Sequence, residues 1–294
     1  MPGRRRRLDS YEVRLVDIAS VNLDTLIALT IDVGWPHRAS DWRFLLDHGA
    51  GLAAIDEIDR TVGCVWWSLY EPNAARLGLV ITSPRLQDRG AGRWLTQEGL
   101  NRLDGRTVGV TAPGLLRGMC RSMGFLTDRP LDQWEGEPRA SFDDPKPATG
   151  VIRPLEADDL PALHALDRAA IGCERGRVLE SLASVSQGVV LERAGAIAGF
   201  ALSRPFGRGR ALGPVIARSD RDASALAAPL IRAAHGRTLR CDAPRRGGAF
   251  GRLLEAAGLK VAEVNTALRR GEGAFKPVDP NGARIFALAN QSLG

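Results

Sequence analysis

Two stretches of this chain repeat, so the fold must be one that can be built twice. Leu77-Gly78-Leu79-Val80-Ile81 returns as Leu212-Gly213-Pro214-Val215-Ile216. Gly105-Arg106-Thr107 with Ala112-Pro113 returns as Gly236-Arg237-Thr238 with Ala243-Pro244. Val62-Gly63-Cys64-Val65 corresponds to Ala198-Gly199-Phe200-Ala201, and Val13-Arg14-Leu15 to Ile152-Arg153-Pro154. Self-similarity at about half the chain length is too long for a solenoid and reads as domain duplication. At 294 residues each half can bury a core of its own. The expected division is a basic disordered tail over residues 1–10, a first domain over 11–134, a linker over 135–150 and a second domain over 151–294. Pro138, Pro145 and Pro147 mark the linker.

The copies differ in one loop. The first passes through Gln87-Asp88-Arg89-Gly90-Ala91-Gly92-Arg93, the second through Ala217-Arg218-Ser219-Asp220-Arg221-Asp222-Ala223, without glycine. At a helix start, the main-chain N–H groups of residues 88–93 have no helical acceptors and form an anion-binding concavity. The helix dipole adds positive potential there. Without Cβ atoms at Gly90 and Gly92, a diphosphate can approach the main chain closely. Chemistry that needs this loop therefore belongs to the first half. Pro214 further removes a backbone donor from the second copy of the preceding strand.

Patterning around the loop alternates α and β. Residues 12–16 read as a strand, and Leu23, Leu26, Ile27 and Ile31 recur at helical spacing. A second helix carries Trp42, Leu45 and Leu46, capped by Ser40 or Asp41. Residues 51–55 and 61–70 form a hairpin, 77–82 a buried strand and 91–103 a helix. A strand follows over 107–111, then a short helix over 115–123 ending at Gly124.

These features resemble the GCN5-related N-acetyltransferases (GNATs), whose signature Q/R-x-x-G-x-G/A stands here as Gln87-Asp88-Arg89-Gly90-Ala91-Gly92, preceded by Thr82-Ser83-Pro84. The late pair Gly124-Phe125 also matches. The resemblance covers nearly the whole first half and, more faintly, the second. It implies an α/β chain of two tandem domains, each a mixed, mostly antiparallel central sheet flanked by helices. It further implies acetyl-CoA as cosubstrate and an amine of a small molecule or peptide as acceptor. Main-chain groups of Val80, Ile81 and Thr82 would hold the pantetheine arm like an added strand. Gln87, Asp88, Arg89, Gly90, Ala91, Gly92 and Arg93 would hold the diphosphate.

The catalytic groups are less defined. Relatives place a tyrosine acid where this chain has Cys120, and an asparagine where it has Pro113. Glu71 is the nearest carboxylate for a base, with Asp56, Glu57 or a water chain as alternatives. Trp35, Trp42, Trp66 and Trp67 border the acceptor side in such a fold or fill its core. In the second half Leu254 and Gly258-Leu259 replace the tyrosine and the glycine-phenylalanine pair. That half is expected to bury the first and to close its acceptor cleft. A non-catalytic acyl-CoA-binding module is the alternative function.

Composition excludes other classes. The net charge of +6 is carried by scattered arginines, the only lysines being Lys146, Lys260 and Lys276, so no nucleic-acid stripe is indicated. No apolar run approaches the roughly twenty residues of a membrane span. Arg4–Arg7 is followed by Leu8-Asp9-Ser10-Tyr11-Glu12 rather than by an export signal's apolar region, so a cytoplasmic chain is expected. The four cysteines and four histidines show no ligand spacing, so no metal is expected. Monomer and homodimer stay open.

Overall fold

The computed structural model describes residues 5–8, 11–143, 145–245 and 247–294. The first half runs β1 (Arg5–Leu8), β2 (Tyr11–Asp17), α1 (Leu23–Asp32), α2 (Ala39–Asp47), β3 (Ala50–Ile55), β4 (Thr61–Tyr70), β5 (Ala74–Thr82), α3 (Ala91–Asn101), β6 (Thr107–Pro113), α4 (Arg117–Ser122) and β7 (Leu126–Gly136). The second half runs β8 (Val151–Pro154), α5 (Leu160–Ile171), α6 (Gly176–Ser184), β9 (Gln187–Arg193), β10 (Ala196–Phe206), β11 (Gly209–Ala217), α7 (Asp220–Arg232), β12 (Leu239–Pro244), α8 (Ala249–Ala256), β13 (Lys260–Arg270) and β14 (Arg284–Ala287).

Local chemistry sets the helix starts. Asn22 caps α1 by accepting the Asp24 N–H at 2.9 Å. α2 starts one turn earlier than Asp41 would cap it: Arg38 is the N-cap and the Asp41 carboxylate reaches back to the Arg38 N–H at 2.9 Å. Arg5–Leu8 is not part of a disordered tail. It pairs antiparallel with β2, Arg6 opposite Val13, and covers an edge with charged residues.

The two halves share one sheet, mixed but mostly antiparallel. Its order is β1-β2-β3-β4-β5-β6-β13-β7-β12-β11-β10-β9-β8, with β14 paired to β11. The centre of this order carries the main surprise. β13 of the second half lies beside β6, Asn265 opposite Pro113, while β7 of the first half lies beside β12, Gln133 opposite Asp242. Each half thus gives its late strand to the other's sheet. The expected boundary near residue 135 divides the sequence but not the structure, because strand period fixes the buried face and leaves the identity of the neighbouring strand open.

Three cores follow. One spans both halves under α1, α2, α5 and α6, and includes Trp42, Trp66, Leu163, Phe200 and Leu293. On the opposite face α3 and α4 cover a core containing Leu77, Trp94 and Phe125. There α7 and α8 cover another, with Leu212, Leu226 and Phe250.

The halves also clasp each other at their hairpin tips. The Gly207 N–H between β10 and β11 donates to Asp41 at 3.0 Å, and Glu71, after β4, exchanges main-chain bonds with Glu174 before α6. Beneath the second clasp a fully buried pair forms, with Arg175 donating to Asp167 at 2.8 Å. Removing one member of such a pair costs roughly 3–5 kcal/mol, because the other charge is left without a partner. Arg175 also donates to the Leu293 carbonyl at 2.9 Å, and so does the Tyr70 hydroxyl at 2.7 Å, anchoring the segment after β14 to both halves.

Candidate functional site

β5 and β6 run parallel, but they pair only from Ala74 opposite Thr107 to Leu77 opposite Val110. A bulge then displaces β5: its register against β4 shifts between Cys64 and Trp66, and Leu79 adopts a φ of 47°. The Cys64 thiol donates to the Leu79 carbonyl at 3.3 Å inside the core. Beyond Leu77, residues 78–82 have no strand partner on the β6 side, and a V-shaped slot opens there. Ile81 is buried, while Val80 and Thr82 are half-buried along the slot.

The slot leads into the glycine loop. The Gln87 amide donates to the Thr82 carbonyl at 3.3 Å, and Asp88 and Gly90 take left-handed φ values of 60° and 78°. Gly90 is the N-cap of α3 and supplies no side-chain cap. The Trp94 N–H is the first in α3 to find a helical acceptor, the Gly90 carbonyl, so those of Ala91, Gly92 and Arg93 precede any helical partner. A Cβ built on Gly90 or Gly92 would meet no protein atom within 4 Å. Arg93 lies alongside and donates to Ser122 of α4 at 2.6 Å.

The corresponding places of the second half are filled. β14 pairs antiparallel with β11, Val215 opposite Ala287 and Ala217 opposite Arg284, in the slot that β11 and β12 would otherwise leave open. The start of α7 is capped from within, since the Ser219 hydroxyl accepts the Asp222 N–H at 3.1 Å. Asp220 and Asp222 add negative charge in the first turn, which repels an anion.

On the face of the sheet opposite α3, a cavity of about 350 Å³ meets the narrow end of the first slot at Gly78 and Leu79. Both halves wall it. The loop between α1 and α2 contributes Trp35 and His37, the β10–β11 tip contributes Phe206 and Arg208, and the segment after β14 contributes Gln291 and Ser292. Its floor carries Thr111, Gln133, Glu135, Arg240 and Glu263 from four adjacent strands. Gln291 donates to Gln133 and to Asp242, both at 3.0 Å, and Arg240 is paired with Asp242 at 3.0 Å. Asp41 fixes the wall: its carboxylate stays below the usual range although burial opposes ionisation, because Arg38 and the Gly207 N–H hydrogen-bond to it. Burial pulls His37 down from 6.5 to about 4, so its imidazole is neutral near pH 7.

The expected catalytic pair lies elsewhere. Cys120 packs in the core beneath α4, 3% exposed, and burial raises its thiol pKa. Glu71 sits at the tip after β4, held by its main chain to Glu174, and does not line the cavity. Of the four tryptophans named above, Trp35 alone lines it; Trp42, Trp66 and Trp67 are core. The carboxylates that do line it, Glu135 and Glu263, come from the two exchanged strands. No local motif marks them, because their position depends on pairing between residues more than a hundred apart. Among the described residues no cluster of His, Cys, Asp and Glu is arranged to hold a metal ion. Nor, among the described residues, is any helix long and apolar enough to cross a membrane.

Residues 163–279 match the family model of an acetyltransferase (GNAT) domain. The matched segment begins within α5 and continues past β13, so it includes the strand that completes the first half's sheet. No curated protein matches the chain by sequence. Among solved structures, a Pyrococcus horikoshii protein provisionally assigned as an acetyltransferase superposes with a TM-score of 0.77 at 18% identity, over 98% of each chain. A tandem GNAT protein from the clavulanic acid biosynthesis pathway gives 0.63 at 14% identity, over 91% of this chain and 100% of its own. A GCN5-related N-acetyltransferase from Sphaerobacter thermophilus gives 0.57 at 19% identity, over 91% and 98%.

Proposed function

We propose that this chain, a member of the GCN5-related N-acetyltransferase superfamily, moves an acetyl group from acetyl-CoA to an amine of a small molecule or peptide in its first half. One contrast carries the assignment to that half: the first slot is open and ends at an uncapped glycine loop, whereas β14 and an acidic, self-capped helix start fill the second.

In this reading main-chain groups of residues 78–82 on the side away from β4, where the β6 ladder has ended, hold the pantetheine arm, and residues 87–93 hold the diphosphate. That arrangement brings the thioester to Gly78 and Leu79, where the acceptor cavity begins. The amine must first lose a proton from its ammonium form. Glu135 and Glu263 are the cavity's carboxylates and receive it directly or through water. The amine nitrogen then attacks the carbonyl carbon, the C–N bond forms, the C–S bond breaks, the nitrogen gives up its second proton to solvent, and the sulfur leaves as a thiolate. Solvent can protonate that thiolate, so Cys120 need only pack.

Gly92→Val is the cleaner probe of the loop. Gly92 lacks the left-handed φ that would strain a valine at Gly90, and its side chain would enter open space. Calorimetry should show acetyl-CoA binding abolished while the melting temperature stays near wild type. Unchanged affinity would remove the assignment. Thiol release stimulated by members of an amine panel identifies an enzyme; binding without stimulated release identifies an acyl-CoA-binding module.

A further inference from the structure

A second basic cavity lies on the outer side of the glycine loop, between β1 and α3. Arg5, Arg6, Gly90, Arg93 and Trp94 line it, with Gln97, Glu98 and Asn101 along the helix. Arg6 is opposite Val13 in the β1–β2 ladder and so projects to the face that α3 covers, where its guanidinium lies 5.7 Å from the Trp94 ring centroid. This stacking holds a cation over the helix start. Arg5 is engaged with Glu12 at 3.1 Å, and Glu98, 8% exposed, is the one carboxylate among the described residues of the cavity wall. Among the described residues, three guanidinium groups against one carboxylate leave a net positive lining.

Gly90 belongs to both features. It is the N-cap of the loop that would seat a diphosphate, and it forms part of this cavity's wall. In coenzyme A a single ribose separates the diphosphate, on its 5′ oxygen, from a phosphate on its 3′ oxygen. A diphosphate at Gly90 therefore puts the 3′-phosphate within reach of the neighbouring cations. We infer that β1 is a clamp for the 3′-phosphate of coenzyme A, with Arg6 as its main contact and Arg93 bridging the two phosphate positions. This rests on the cofactor reading above and adds a role for the strand that precedes the duplicated scaffold. An exposed arginine–phosphate contact is screened by solvent, so the expected preference is about fivefold to tenfold, falling with salt.

The test is calorimetric titration of the full chain with coenzyme A and with 3′-dephospho-coenzyme A, for wild type and Arg6→Gln. Wild type should prefer coenzyme A by about fivefold to tenfold. Arg6→Gln should erase most of that preference while leaving the affinity for the dephospho compound unchanged, and Arg6→Lys should restore part of it. Adenosine 3′,5′-bisphosphate should compete with coenzyme A at concentrations where inorganic phosphate does not. Equal wild-type affinity for the two compounds would overturn the clamp and leave the cofactor reading intact, as would an equal loss for both in Arg6→Gln. Failure of wild type to bind either would overturn the cofactor reading and the clamp together.

Discussion

His37 is the residue whose chemistry the fold changes most visibly. Its Nδ1 is buried without a hydrogen-bond partner, and Asp41, Arg204 and Arg240 surround the ring. Burial dominates, aided by the two arginines and opposed by Asp41, and the pKa falls from 6.5 to about 4. The native state therefore refuses a proton that the unfolded chain accepts. Above pH 6.5 the group has no effect on stability. As pH falls from 6.5 to 4 the unfolded state is favoured progressively, by roughly 3 kcal/mol in all. Denaturant titrations at pH 7 and pH 4.5 should show wild type losing more stability than His37→Gln; equal losses would show that His37 titrates normally. None of this was legible in the sequence, where His37 is one of four scattered histidines. The loop was legible: Gly90 and Gly92 stand where the spacing put them, because a helix start needs only neighbours along the chain.

At the scale of elements, strand and helix identity followed from period and capping, and the first half's elements fall close to where the pattern put them. Two short strands did not. β1 is four residues of mostly arginine, and β14 is four residues beyond a glycine- and proline-rich stretch, too short for a period to register. β14 matters most, since it supplies antiparallel partners to β11 where a pantetheine arm would otherwise run. Gly213 seals the arrangement, for a Cβ there would lie 1.8 Å from the Leu288 carbonyl. Calorimetry should accordingly give one acetyl-CoA per chain. Two sites of equal affinity would mean that β14 yields to the ligand.

The whole molecule is held as a unit by the exchange of β7 and β13. Truncation after Gly150 removes β13 and bares the β6 edge, along with the segment that anchors Tyr70. Such a fragment should be insoluble, or should self-associate through that edge in sedimentation. A monomeric, soluble fragment that binds acetyl-CoA as tightly as the full chain would show that β13 is dispensable. The duplication was plain from Leu77-Gly78 and Leu212-Gly213, yet the sequence could not say which half β13 would serve.

The same exchange imposes an order of events on synthesis. When β6 leaves the ribosome, its neighbour in the sheet has not been translated, and at typical elongation speeds the roughly 150 residues before β13 take on the order of ten seconds. Throughout that interval the nascent first half carries an open edge on β6, where β13 will later pair antiparallel. The protein is thus one that a cell completes late, and the waiting edge is where a chaperone or a misplaced strand would compete with the chain's own.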